Sequence, residues 1–168
     1  YGTLFALPIV RQLYPGIPID VVNDSGIGLS RPNDPEFNEQ IVDYWNIGGF
    51  FPASCPECTV QGSSARIINW QLQQDPDVRL GMLSYTQDST IGTFFLGLGG
   101  PAFEALLRPT LADVEAAHPE RMRSFVRAGD SHTFLLGDLS TSVEGVSVSD
   151  WVGSMLDGPT EDWNSVAE

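Results

Sequence analysis

Arg79-Leu-Gly-Met-Leu-Ser-Tyr-Thr-Gln-Asp88 and Ser124-Phe-Val-Arg-Ala-Gly-Asp-Ser-His132-Thr-Phe-Leu-Leu136 are the two stretches that decide how this chain reads. Each is a short apolar run that ends in a polar, turn-forming segment. The first closes on an aspartate; the second passes Gly129 and reaches a histidine. Apolar runs of this length, bounded by turn residues, read as buried strands. Asp88 and His132 therefore fall just past two strand ends, where parallel α/β sheets carry their chemistry. An aspartate beside a histidine fixes the imidazole tautomer and stabilises the imidazolium formed during acyl transfer. The pair reads as an acid and a base with no nucleophile in front of them.

Working outward, Phe5, Ile9 and Leu13 share one face of a first helix, and Ile19 to Asn23 is a β-branched strand entering the glycine-rich loop Asp24-Ser-Gly-Ile-Gly28. Residues 30–62 are rich in Pro, Gly, Asn and aromatic side chains and read as an insertion over the sheet, with one helix around Pro35 to Trp45. Ser63-Ser64 can cap a helix reaching Gln74. A second strand spans about 78–85, and Ser89 to Leu98 opens with a helical turn. Pro101 to Ala117 is amphipathic, with Phe103, Leu106, Leu107, Leu111 and Val114 as its apolar set. A third strand lies at about 123–128. The last helix, 149–156, is capped by Ser149 and stopped by Gly158-Pro159. The acidic segment 158–168 reads as a loosely packed tail.

Strands alternating with helices imply a parallel sheet with right-handed crossovers. Three strands alone would leave a long hydrophobic edge bare, which proteins rarely tolerate. The strand count thus predicts that part of the sheet is built by residues outside this sequence. Tyr1-Gly-Thr-Leu-Phe5 points the same way: it has no initiating methionine and no basic leader, and reads as a helix already under way.

With 168 residues, 42% hydrophobic and 18% charged, the chain can build one domain with a sizeable core. Its formal charge is −14, from 22 acidic residues against 8 arginines, and it contains no lysine. Such a surface repels nucleic acid and anionic membranes, since both need phosphate neutralisation by Lys or Arg. It also disfavours a strongly acidic polymer as substrate. No apolar run approaches the roughly 20 residues of a membrane span. No cofactor-binding motif stands out.

Each chemical candidate admits a competing reading. Asp88-Ser-Thr-Ile can equally be a helix N-cap. His132 can be a structural loop residue, and its order after Asp88 favours a general base. His118, at a helix end before Pro119, suits the helix dipole and reads as structural. Three serine contexts fall short of a nucleophile. Gly62-Ser-Ser-Ala-Arg66 lacks a preceding strand and the second glycine of an elbow. Asp24-Ser25-Gly26 lacks a glycine two residues before its serine. Gly129-Asp-Ser131 is followed by no histidine beyond His132. Cys55-Pro-Glu-Cys58 can be a redox site, half a zinc site or a small disulfide. No second ligand pair completes a zinc site, so a disulfide pinning the insertion is expected, and with it an oxidising compartment.

In this order the motifs resemble the C-terminal half of the pectin acetylesterase and Notum family of α/β-hydrolases. The first helix followed by Val-Val-Asn-Asp24-Ser25-Gly26 is similar to the family's stretch after its nucleophile elbow. Tyr44-Trp45-Asn46 resembles a segment of its cysteine-containing insertion. Ser84-Tyr-Thr-Gln-Asp88-Ser-Thr-Ile resembles the segment with the catalytic aspartate, and Gly129-Asp-Ser-His132 the histidine segment. The resemblance covers most of residues 1–157 and implies the C-terminal portion of one α/β-hydrolase domain, with 158–168 as tail. It implies a secreted serine carboxylic-ester hydrolase of acetylesterase type. Asp88 and His132 would be the acid and base, and the serine would lie a few residues upstream of Tyr1. The partners implied are the N-terminal portion of the same hydrolase and a small ester or esterified carbohydrate. The alternative is a non-catalytic binding module with a hydrolase-like fold, in which Asp88 is a cap and His132 structural.

Overall fold

The computed structural model describes residues 2–58 and 65–168. In chain order the elements are α1 (Gly2–Leu13), β1 (Ile19–Asp24), α2 (Pro35–Trp45), α3 (Arg66–Gln74), β2 (Val78–Tyr85), α4 (Gly100–Ala117), β3 (Met122–Arg127), the two-residue strands β4 (Ser142–Val143) and β5 (Val146–Ser147), α5 (Val148–Asp157) and β6 (Val166–Ala167). A π-helical segment, Ser89–Phe95, follows β2. The main sheet has the order β1-β2-β3-β6, and every neighbouring pair is parallel. β4 and β5 form a separate antiparallel pair.

β2 is the spine because its side chains can be buried on both faces, as a parallel strand requires. Alternation sorts them. Val78, Leu80 and Met82 join a core with Leu4 and Leu7 of α1, Ile67, Ile68 and Leu72 of α3, and Phe103, Leu107 and Leu111 of α4. Leu83 and Tyr85 join a second core with Phe125, Phe134, Trp151, Met155 and Trp163. Gly81 belongs to that second face: a Cβ there would lie 3.0 Å from the Trp151 ring and 3.1 Å from Met155 Sδ, so α5 can approach the sheet closely. Each fully buried large apolar side chain contributes about 1.5–3 kcal/mol, which makes these two layers the main source of stability.

The expected strands and helices occur where the apolar patterns place them, with two corrections. Residues 158–168 are not loosely packed. Trp163 is completely buried, its carbonyl accepts from Arg123 Nε at 3.0 Å, and Trp151 Nε1 donates to the Asn164 carbonyl at 2.7 Å. Val166 and Ala167 then extend the sheet beside Phe125 and Val126. The tail is an anchored fourth strand. The cap of α5 is Ser147 rather than Ser149: Ser147 Oγ accepts from Asp150 N at 3.1 Å. The anticipated Ser63-Ser64 cap lies outside the described residues.

The insertion packs on α1 through Phe5, whose ring lies 5.8 Å from Phe50 and 5.6 Å from Phe51. Asp34 caps α2 by accepting from Phe37 N, and Pro35 stands in the first turn. Cys55 and Cys58 form a disulfide within it, both fully buried. Among the described residues no single helix is long and apolar enough to cross a membrane.

Candidate active site

The parallel register brings the C-terminal ends of β1, β2 and β3 to one edge of the sheet. Asp24 pairs with Leu83, and Tyr85 with Arg127. The ladder continues into the loops that follow. Thr86 N donates to the Arg127 carbonyl, Gln87 N to Gly129, and Ser89 N to Asp130, each at 2.9 Å. Gly129, at φ +137°, lets the second loop turn; a Cβ there would sit 3.4 Å from Tyr85 and be strained by the backbone. Its N–H donates to Thr86 Oγ1 at 3.2 Å.

This stitching sets Asp88 Oδ2 at 2.8 Å from His132 Nδ1. Asp88 is 0% exposed, while the His132 side chain keeps 35% of its surface in solvent. The carboxylate's other oxygen, Oδ1, accepts from Thr90 N and Ile91 N, both at 2.9 Å. The two sequence readings of Asp88 therefore hold together, one on each oxygen: a cap through Oδ1 and an imidazole partner through Oδ2. A carboxylate can only accept, so Nδ1 donates and the free lone pair of neutral His132 lies on Nε2. That nitrogen has no hydrogen-bond partner among the described residues. An imidazole held in this way can take a proton at Nε2 while the buried carboxylate stabilises the cation.

His118 is structural. Its Nδ1 accepts from Arg121 at 3.2 Å and its Nε2 donates to Asn69 Oδ1 at 2.8 Å. Burial, then the Arg121 charge, pull its pKa below the usual histidine value, against a smaller opposing pull from Asn69. The helix-dipole reading, which wanted a cation there, is corrected: the site favours the neutral ring.

Among the described residues no serine hydroxyl is hydrogen-bonded to the His132 ring. Ser25 is buried, stands in the left-handed region at φ 63°, and donates its hydroxyl to the His132 main-chain carbonyl rather than to the ring. Ser131 is exposed on the loop surface. Ser63 and Ser64 lie outside the described residues. Sequence reasoning missed a further group, Asp24. Its carboxylate accepts from Phe134 N at 2.9 Å and Leu135 N at 2.8 Å, on the loop that carries His132. The only signal was an Asn-Asp-Ser-Gly turn at a strand end, which names no partner. Among the described residues no group of three or more His, Cys, Asp or Glu side chains could hold a metal ion.

No family model matches the chain, and neither a curated protein nor a solved structure matches it.

Proposed function

We propose that this chain supplies the acid and base of a Ser-His-Asp triad in a secreted carboxylic-ester hydrolase of the acetylesterase type, similar to the pectin acetylesterase and Notum family, within an α/β-hydrolase fold. The observation that carries the reading is the Asp88–His132 bond: a fully buried carboxylate orients a half-exposed imidazole at the C-terminal edge of a parallel sheet. The Nε2 of that imidazole makes no hydrogen bond among the described residues and is left able to accept a proton.

In the proposed reaction a serine upstream of Tyr1 attacks the ester carbonyl. Its proton passes to His132 Nε2, and Asp88 stabilises the resulting imidazolium. The histidine returns that proton to the departing alcohol, leaving an acyl-enzyme. Water then attacks the acyl-enzyme with His132 again as base, releasing the acid and restoring the serine. The oxyanion donors come from the same upstream region. The sheet supports this division of labour: β1 pairs with β2 on one side and with no strand on its other side among the described residues, so the strand bearing the serine has an edge to join. The buried Cys55–Cys58 disulfide supports an oxidising, extracytoplasmic setting. The charge of −14 favours a neutral or cationic ester over an acidic polymer.

The test is ester turnover by the protein together with the segment that precedes Tyr1. His132→Ala is expected to lower kcat for an aryl acetate by at least about 10³-fold. Unchanged turnover would sink the hydrolase reading and leave the binding module.

A further inference from the structure

Resting on that reading of Asp88 and His132, we infer that Asp24 and Ser25 are positioning residues that clamp the histidine loop, which follows β3, from the C-terminal end of β1 on the far side of β2. His132 lies in a stretch with no helix or strand of its own between Arg127 and Ser142, whose internal turn bonds lie at Phe134–Gly137 and Asp138–Thr141, so the main chain around His132 itself is held by contacts from other segments. Three such contacts come from one dipeptide. The Asp24 carboxylate accepts from Phe134 N through both oxygens, at 3.2 and 2.9 Å, and from Leu135 N at 2.8 Å. The Ser25 hydroxyl donates to the His132 carbonyl. The peptide units on the C-terminal side of the imidazole are thus held by an acceptor on the last residue of β1 and a donor on the first residue of the turn that follows.

The turn that presents them is specific. Ser25 N donates to the Leu83 carbonyl at 2.8 Å, which keeps β1 paired to β2 up to the turn. Asn23 Nδ2 donates to the Gly26 carbonyl at 3.2 Å, and a Cβ on Gly26 would fall 2.3 Å from Asn23 Oδ1. Ser25 takes a left-handed conformation that a non-glycine residue adopts at a cost of about 1–2 kcal/mol. Beneath the loop, Phe134 is buried between Tyr85, stacked at 4.2 Å, and Phe125, edge-on at 5.6 Å. The ring fixes the height of the loop, and the clamp fixes where its main chain lies relative to β1. Since Asp88 is anchored separately through Thr90 and Ile91, the clamp sets the other half of the Asp88–His132 geometry. A misplacement near 1 Å at a reacting group costs about 10²-fold in rate.

The experiment compares Asp24→Ala, Asp24→Asn, Ser25→Ala and Ser25→Gly in the protein carrying its upstream segment. Two readouts are followed: steady-state ester hydrolysis, and the proton resonance of the His132 Nδ1–H bonded to Asp88. Asp24→Ala is expected to lower kcat about 10- to 100-fold with little change in KM, and to shift or broaden that resonance. Asp24→Asn keeps an acceptor oxygen for the two amides and is expected to recover most of the loss. Ser25→Ala and Ser25→Gly both remove the hydroxyl and are expected to fall together. Recovery by glycine alone would assign Ser25 to backbone conformation and overturn its part in the clamp. Parent kcat and an unmoved resonance in Asp24→Ala would overturn the whole inference. If Asp24→Ala does not fold, Ser25→Gly decides: an unmoved resonance there overturns it equally. Failure of the hydrolase reading is distinguishable, because His132→Ala would then leave turnover intact while the Nδ1 resonance still reports on the clamp.

Discussion

Replacing Asp88 with Asn changes one oxygen to an amide nitrogen and leaves the volume unchanged, so the surrounding hydrogen bonds decide how the amide sits. Two N–H donors, Thr90 and Ile91, converge on the Oδ1 position at 2.9 Å, and His132 Nδ1 faces the Oδ2 position at 2.8 Å. If the amide nitrogen turned toward the two backbone donors, both would lose their acceptor in a fully buried site, at about 1–3 kcal/mol each. If it turns toward His132 instead, both cap bonds survive and only the imidazole must respond. The second orientation wins by several kcal/mol. The amide then donates to Nδ1, the imidazole proton moves to Nε2, and the nitrogen that should accept the serine proton already carries one. Asp88→Asn is therefore expected to fold with nearly unchanged stability. Its kcat should fall by about 10⁴-fold, equivalent to about 5.4 kcal/mol at 1.36 kcal/mol per decade, with KM little altered. Ring ¹⁵N shifts of His132 would read the tautomer directly, alongside ester hydrolysis. A variant that kept the Nδ1–H tautomer and stayed within about threefold of parental kcat would refute this reasoning.

Two further outcomes follow from the packing and the titrating groups. Trp163→Ala removes a fully buried ring packed 5.7 Å from Trp151 and is expected to cost about 3–5 kcal/mol, or roughly 6–20 °C in Tm. A loss below about 1 kcal/mol in denaturant titration would mean that the C-terminal strand is not anchored as described. His118 should make stability pH-dependent. Its folded pKa lies below the unfolded value near 6.5, so between the two the unfolded chain binds the extra proton and stability falls as the pH is lowered. That contribution is fully present above about pH 6.5 and is lost on acidification. His118→Gln should remove this limb of the stability profile, and identical slopes for parent and variant between about pH 7.5 and 5 would contradict it.

How much was legible in the sequence depended on how local each signal was. β2 and β3 could be read because each is a short run with apolar residues on both faces, bounded by turn residues. Asp88 and His132 could be read because each follows its strand directly. β6 could not: two residues in a polar, acidic segment carry no periodic pattern, and they are held by main-chain pairing and by the Trp163 anchor upstream. The α5 cap was misplaced by two residues because Ser147 and Ser149 are equally good capping residues, and only the main-chain path selects between them. The Asp24 contact joins residues 110 positions apart, and no local pattern could name its partner. The two roles of Asp88 looked exclusive in sequence because a cap and an imidazole partner were assigned to one residue; in space they are assigned to separate oxygens.

The most direct measurement of the central claim is covalent labelling of the protein, with the segment preceding Tyr1 in place, by a serine-reactive fluorophosphonate, followed by peptide mass spectrometry. The expected result is one labelled serine, upstream of Tyr1, whose labelling is lost in His132→Ala. Absence of any label, or a label on Ser25 or Ser131 within this chain, would contradict the account.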